Sequence, residues 1–429
     1  NTDDWIELLN DDEQEFVGYD YTGMEVKIAR YRKVMSKGKV LYHIVFNITP
    51  FYGEGGGQVG DTGWLCGKEE KIRVIDTKKE NGLTIHVTEQ LPADLTQSFM
   101  AQVDAHRREL IANNHTATHL LDHALREVLG AHVEQKGSYV GEERLRFDFS
   151  HFQKVTEEEL RRVAAIVNRL IRQNLTLEEF RSIPMTEAQK MGAIAIFGEK
   201  YGDLVRVIKY GDSIELCGGT HVRATGQIGF FKIMSESSVS AGVRRIEAIT
   251  ADKAEEYIVN SFALVGEIEK MFKSNRNVIE NITALLQENE GLKKDLEKFE
   301  EESLKILKDR VKNEIVVEKG INMMFKVMPL PQPRVKDLAF QLKGEYEKII
   351  LVIGGVNNGK PHLTVLISDT LVKEFGLHAG QIVKEAAREI KGGGGGQPFF
   401  ATAGGSEPAG IEKAVAEAER MIKFKLEIK

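Results

Sequence analysis

Two cysteines, Cys66 and Cys217, are all that the 429 residues contain. A disulfide framework is excluded, and so sparse a thiol content points to a reducing compartment, expected to be the cytoplasm. No apolar run reaches membrane-spanning length, which excludes a membrane partner, and no signal peptide or lipidation motif is read. The chain starts with Asn and enters charged sequence at once, as an excised fragment or processed product would. Positive charge is also short: 58 Lys+Arg face 65 Asp+Glu, a net charge of −7. Non-specific coating of nucleic acid is excluded on that balance. The deficit is uneven, because residues 319–429 hold 16 Lys+Arg against 12 Asp+Glu, a local +4. A mildly basic module on an acidic body suits docking of one defined RNA.

Against this background two short strings stand out, HTATH at 115–119 and CGGTH at 217–221. Each supplies two metal-competent side chains four residues apart, His115 with His119 and Cys217 with His221. Three imidazoles and a thiolate are a donor set that zinc favours, and four donors complete a tetrahedron. The Leu- and Ala-rich spacing of 107–128 predicts a helix, which puts His115 and His119 on one face. CGGTH reads as a tight loop in which Gly218 and Gly219 let the backbone turn both donors toward one point. The competing reading is of satisfied core histidines and a buried thiol. HTATH has no Glu after its first His, so it lacks the general base of the HExxH peptidases.

The chain reads as an α+β multidomain protein. Residues 1–105 form a β-rich, barrel-like part, with short β-branched runs such as KVLYHIVFNI and LTIHVTE and a glycine loop, GEGGGQVGDTG, at 53–63. Residues 106–250 mix strands with a capped amphipathic helix that starts at Thr156 and carries Glu159. Residues 251–314 form a helical linker. There Val278, Ile282, Leu285, Leu292, Leu296, Phe299 and Ile306 keep a coiled-coil register, with Asn289 and Ser303 in its polar slots. KSNRN at 273–277 breaks the run, and two helices packed as a hairpin are expected. Residues 315–429 form a small α/β module. Its glycine run, 392–396, suits close backbone approach to a phosphate or base, with a floppy linker as the alternative.

These motifs, with FYGEGGGQVGDTG, HVEQKGSYV and KGGGGGQPFFATAGG in that order, resemble the C-terminal half of the alanyl-tRNA synthetase family, of bacterial type. The resemblance covers nearly the whole chain. It implies an editing domain over 1–250, a coiled-coil linker, and a C-terminal domain for tRNA binding or oligomerisation. The implied activity is hydrolysis of Ser-tRNA(Ala) and Gly-tRNA(Ala), with one Zn2+ per chain held by His115, His119, Cys217 and His221. A pocket shaped for alanine cannot exclude glycine sterically, and serine adds only a hydroxyl, so a second hydrolytic site has to correct the error. The aminoacylation domain lies upstream in the family and its motifs are absent here, so no ligase activity is expected.

By the same resemblance Gln135 matches an editing-site glutamine, Thr49 a threonine tied to serine recognition, and Gly55, Gly56, Gly57 and Gln58 the loop that lines the site. Arg244 and Arg245 match a basic pair. Lys391, Gly392, Gly393, Gly394, Gly395, Gly396 and Gln397 are expected to contact tRNA. A homodimer through the C-terminal domain is a further expectation. Gly53 replaces the family's Ala or Pro, which would loosen the loop entry. Asp122–His123 is read as the turn after HTATH, with His123 as a rival metal ligand. Bland alternatives remain for Thr49, Gln135 and the arginine pair, as an ordinary strand residue, a surface amide and solvated strand ends. A whole-chain alternative is a non-catalytic, zinc-stabilised tRNA-binding or oligomerisation module.

Overall fold

Apolar residues alternate with polar ones along the first hundred positions, and the chain answers with antiparallel strands. The computed structural model describes residues 2–10, 13–36, 38–196, 201–272 and 277–428. The chain divides into two compact units, Asn1–Met271 and Phe272–Lys429.

In the first unit an eight-stranded sheet runs in the order Ile6–Glu7, Ile28–Ser36, Lys39–Phe46, Leu83–Thr88, Lys71–Glu80, Gly63–Cys66, Phe99–Val103, Gly23–Val26. Its two end strands do not pair with each other among the described residues, so the ladder is an open one. Val26, Ile44, Phe46, Leu65, Val74 and Phe99 point into one core.

Next come the helix Ala105–Leu129 and a four-stranded sheet in the order Gln135–Val140, Leu145–Ser150, Val243–Thr250, Phe231–Ser240. The helix Glu157–Arg172 begins in the expected capping box: Glu159 N donates to Thr156 Oγ1 and Thr156 N to the Glu159 carboxylate. Both helices share a core with Phe147, Phe149, Phe231 and Ile246 of this sheet. A smaller sheet, Glu178–Pro184, Leu204–Tyr210, Ser213–Leu216, delivers the chain to Cys217.

Ala105–Leu129 is buried along most of its length. Its side chain Arg108 is buried and paired with the buried Asp61, and also donates to Gly18 O and Pro50 O at 2.6 and 2.8 Å. Asp61 in turn accepts from Tyr52 N at 2.7 Å. One buried ion pair thus clamps the metal-donor helix to the glycine loop. Removing one partner would strand a charge at a cost of about 3–5 kcal/mol. Asp122 and His123 lie within this helix and not in a turn after it, because the helical run continues to Leu129.

In the second unit six strands run in the order Val316–Glu318, Ile321–Val327, Ile349–Asn357, Lys360–Ile367, Phe400–Gly404, Gly393–Gly396. One pair, Ile321–Val327 with Ile349–Asn357, is parallel. Ile350 and Val352 face one helical layer while Ile349, Leu351 and Ile353 face the other. A strand covered on both faces has to read as a continuous apolar run, which is what KIILVIGG does.

The boundary between the units falls inside 251–314. The helix Ala251–Met271 buries Ala254 in the first unit, and Val278–Lys312 buries Val311 in the second. Along the latter, Leu285, Leu292, Leu296, Phe299 and Ile306 are exposed. Residues 273–276 of the expected helix break lie outside the described residues.

Candidate metal centre

His115 and His119 stand one helical turn apart on the buried helix, and the chain leaving Ser213–Leu216 brings Cys217 and His221 to them. One donor atom from each of the four lies within 4.8 Å of the others, and His123 is not in the group. Instead His123 faces Glu127 at 3.8 Å, and Asp122 accepts from Arg126. Cys217 Sγ is 3.4 Å from His115 Nε2 and 3.3 Å from His221 Nε2. With Zn–S about 2.3 Å and Zn–N about 2.0–2.1 Å, a tetrahedral S–N edge is roughly 3.5 Å, so the spacing fits zinc.

Two further observations agree with a metal. His119 Nδ1 is buried with no hydrogen-bond partner among the described residues. Burial, with the Arg206 guanidinium adding to it, depresses all three imidazoles, His115 to about 3, and so keeps them in the neutral form that binds metal.

The outward nitrogens are held individually. His115 Nδ1 is 2.7 Å from Gln58 Oε1, which also accepts from Thr220 N at 2.9 Å, while Gln58 Nε2 donates to Thr220 Oγ1 at 2.8 Å. His221 Nδ1 is 3.0 Å from Thr116 Oγ1. His119 Nε2 is 3.3 Å from Glu215 Oε2. Such partners orient metal-binding imidazoles and fix their tautomers.

The CGGTH loop is pinned by Arg206 and Tyr19. Arg206 Nη1 donates to Cys217 O and Gly219 O at 2.9 and 2.7 Å, and its guanidinium lies 3.8 Å from the Tyr19 ring. Tyr19 Oη donates to Gly218 O. The two glycines differ in purpose. A Cβ on Gly219 would collide with the His115 ring and Gln58, whereas one on Gly218 would meet only Tyr19 at 3.9 Å. Neither has a positive φ, so it is room for His115, and not a special turn, that Gly219 provides.

A cleft of about 190 Å³ opens on the cluster. Tyr52, Gly55, Gly56, Lys79, Thr118, Gln135, Ser138, Tyr201 and Glu215 border it. Of the expected site residues, the structure brings Gln135, Gly55 and Gly56 to the cleft, where Gln135 Nε2 donates to Ser138 Oγ at 3.1 Å. Gly57, at φ +83°, packs on Ser138, and Gln58 is wholly buried behind His115.

Thr49 does not border this cleft. It is fully buried, its hydroxyl donates to His86 Nε2 at 2.7 Å and accepts from Phe51 N at 3.1 Å. Thr118 is the threonine that reaches the cleft, with its Oγ1 donating to Asn114 O at 2.8 Å. Gly53 is close-packed and not loose, since a Cβ there would crowd Lys78 O and the Lys79 side chain. Arg244 and Arg245 are committed within the sheet, to Glu236 and to Asp148 respectively.

The glycine run is neither a loop nor a floppy linker. Gly393–Gly396 is an exposed edge strand antiparallel to Phe400–Gly404. A Cβ at Gly392, Gly394 or Gly396 would strike the neighbouring backbone, while Gly393 and Gly395 face open space. Lys391, at φ +48°, precedes the strand, and its Nζ lies 3.3 Å from Glu407. Gln397 turns the hairpin by accepting from and donating to Phe400.

Comparison with known proteins places these regions. Residues 205–247 match the family model for the threonyl and alanyl tRNA synthetase second additional domain. Residues 322–423 match the DHHA1 domain. A model for class II tRNA synthetases matches residues 3–107, the β-rich region expected to belong to an editing domain. The chain is 54% identical over 415 residues to an alanine--tRNA ligase of Bacteroides fragilis, covering 96% of this chain and 47% of that protein. With the alanine--tRNA ligase of Parabacteroides distasonis the identity is 50% over 422 residues, covering 98% and 48%. The chain thus spans about half the length of the curated relatives it matches. Among solved structures, the C-Ala domain of Aquifex aeolicus alanyl-tRNA synthetase aligns over 26% of this chain and 95% of its own, at 22% identity and a TM-score of 0.22. No described helix is long and apolar enough to cross a membrane.

Proposed function

We propose that the chain is a proofreading module of alanyl-tRNA synthetase type, which hydrolyses Ser-tRNA(Ala) and Gly-tRNA(Ala) and forms no Ala-tRNA by itself. The observation that carries this reading is the convergence of His115, His119, Cys217 and His221, the first three of which line a cleft walled by the glycine loop. Near 50% identity to alanine--tRNA ligases over almost the whole chain supports an aminoacyl-tRNA as the substrate class. Zinc, the ion that suits this donor set, would be held by these four side chains and would supply a Lewis-acid centre for the ester carbonyl.

The chain's own groups do the rest. Gln135 and the Gly56 amide stand on the cleft wall as donors for a developing oxyanion. Thr118 donates its proton to Asn114 O, so its oxygen is left to accept from a serine hydroxyl, a contact alanine cannot make. Residues 391–397 of the second unit offer bare backbone and one lysine to the tRNA, while that unit's sheet and helices are the surface for self-association.

One observation favours a second reading, a non-catalytic zinc-stabilised tRNA-binding module: four protein donors already complete a tetrahedron. Deacylation of Ser-, Gly- and Ala-tRNA(Ala) by metal-loaded protein decides between the two. The proofreading reading expects the first two to be cleaved and the third spared, with activity and zinc lost together in Cys217→Ala and kept in Cys66→Ala. Equal rates on all three, or none on any, would remove it.

A further inference from the structure

Among the described residues bordering the metal cleft there is one carboxylate, Glu215, and one ammonium, Lys79. Glu215 is 7% exposed and sits on the strand Ser213–Leu216, paired with Ile208 and bridged to Ile194, so a rigid element carries it. One of its oxygens, Oε2, is 3.3 Å from His119 Nε2. The other, Oε1, is buried and has no hydrogen-bond partner among the described residues. A desolvated carboxyl group with half its hydrogen-bonding capacity unmet is costly, and the cost is recovered when a cation arrives. Arg126, the nearby cation, is bound to Asp122 and borders an adjoining chamber that Glu215 also lines, not this cleft.

Every aminoacyl-tRNA ester carries a free α-ammonium one carbon from the carbonyl to be attacked. We propose that Glu215 receives this α-ammonium, so that the cleft accepts esters of free α-amino acids and rejects their hydroxy-acid and N-acylated counterparts. This rests on the proofreading reading above and adds to it the feature by which the acyl group is oriented. With the ammonium fixed at Glu215, the carbonyl is turned toward the metal donors, and only the side chain is left to be discriminated by Thr118. A charge-assisted contact of this kind is directional and lost entirely when the nitrogen is missing.

The test uses the full chain loaded with zinc and two stable amide analogues of the terminal nucleoside, 3′-seryl-amino-3′-deoxyadenosine and its 3-hydroxypropanoyl counterpart, which lacks the amine. In the wild type the amine-free analogue is expected to bind about 30-fold more weakly, which is about 2 kcal/mol at 1.4 kcal/mol per tenfold. In Glu215→Gln the amide oxygen can still meet His119, zinc content should stay at one per chain, and the ratio should shrink to within about threefold. A role limited to orienting His119 would instead change zinc content and weaken both analogues alike.

Equal affinities in the wild type overturn the proposal, as does a wild-type ratio retained in Glu215→Gln. If that variant loses its metal, Glu215→Asp is measured in its place. An intermediate ratio then supports the assignment, and an unchanged one overturns it. Deacylation of Ser-tRNA(Ala) by the wild type is assayed in parallel. Deacylation with equal analogue affinities removes Glu215's role alone, whereas no deacylation removes the proofreading reading and this inference with it.

Discussion

Gln58 spends all of its hydrogen bonds inside the protein, two on Thr220 and one on His115. Its task is therefore to aim an imidazole. Gln58→Leu should lower zinc affinity by about 10–100-fold, the usual consequence of losing such a partner. Gln135→Ala, which loses only a bond to Ser138, should leave zinc affinity unchanged. Chelator competition on both variants checks the contrast, and equal losses would contradict it. His86 illustrates another buried imidazole. Its Nδ1–H donates to Ile44 O and its Nε2 accepts from Thr49, and burial depresses it to about 3. The unfolded chain takes up this proton near pH 6.5, the folded one only near 3, so the stabilising effect is complete above about 6.5 and declines as pH falls toward 3. Between pH 7 and 5.5 the unfolding free energy of zinc-loaded protein should fall more steeply in wild type than in His86→Gln, by at most about 1.4 kcal/mol per pH unit. Parallel denaturation curves at each pH would refute this.

At the scale of elements, the five-glycine run, four of whose residues form the strand Gly393–Gly396, shows how one composition can serve two purposes. Gly392, Gly394 and Gly396 lie against the backbone of Phe400–Gly404, while Gly393 and Gly395 have no near neighbour on their open side. Substituting the first set tests folding, and substituting the second tests binding. Gly394→Ala should destabilise the second unit by about 1–3 kcal/mol, as overpacking does. Gly393→Ala and Gly395→Ala should leave its melting temperature within a degree or two of wild type, about a 0.5 kcal/mol effect at most. They should weaken tRNA binding if that face meets the sugar-phosphate backbone. Calorimetry with filter-binding separates the two classes, and intact affinity in the Gly393 and Gly395 variants would move the contact elsewhere on the unit.

For the whole molecule, all four metal donors, their partners Gln58, Thr116 and Glu215, and the pins Arg206 and Tyr19 lie in Asn1–Met271. A 1–271 fragment should accordingly retain one zinc per chain and the chemistry proposed for the cleft, and should lose the tRNA affinity proposed for residues 391–397. Metal analysis and single-turnover deacylation at saturating fragment concentration would show it. Zinc loss in a folded fragment would mean that the second unit supports the site.

The convergence of HTATH and CGGTH was legible because a candidate metal site constrains residue type and spacing locally: i and i+4 share a helix face, and a short loop can bring two donors together. The capping box at Thr156, the doubly buried strand KIILVIGG and the long helix after Asn277 were legible for the same reason, since periodicity and caps act over a few residues. Even Glu215, two positions before Cys217 on a strand, had a signal in the alternation of faces, although nothing marked it as buried. Thr49 could not be told from Thr118, because whether a hydroxyl borders a cleft or faces His86 depends on a partner 37 residues away. Arg206 beneath the CGGTH loop, Asp148 beside Arg245 and the edge position of the glycine strand are likewise outcomes of sheet pairing. The sequence by itself determined which residues can bind metal and which segments coil or extend, because those are short-range properties of backbone and side chain. Only the tertiary structure decided which hydroxyls, guanidiniums and glycines face the cleft, because burial and hydrogen-bond pairing are settled between segments far apart in the chain.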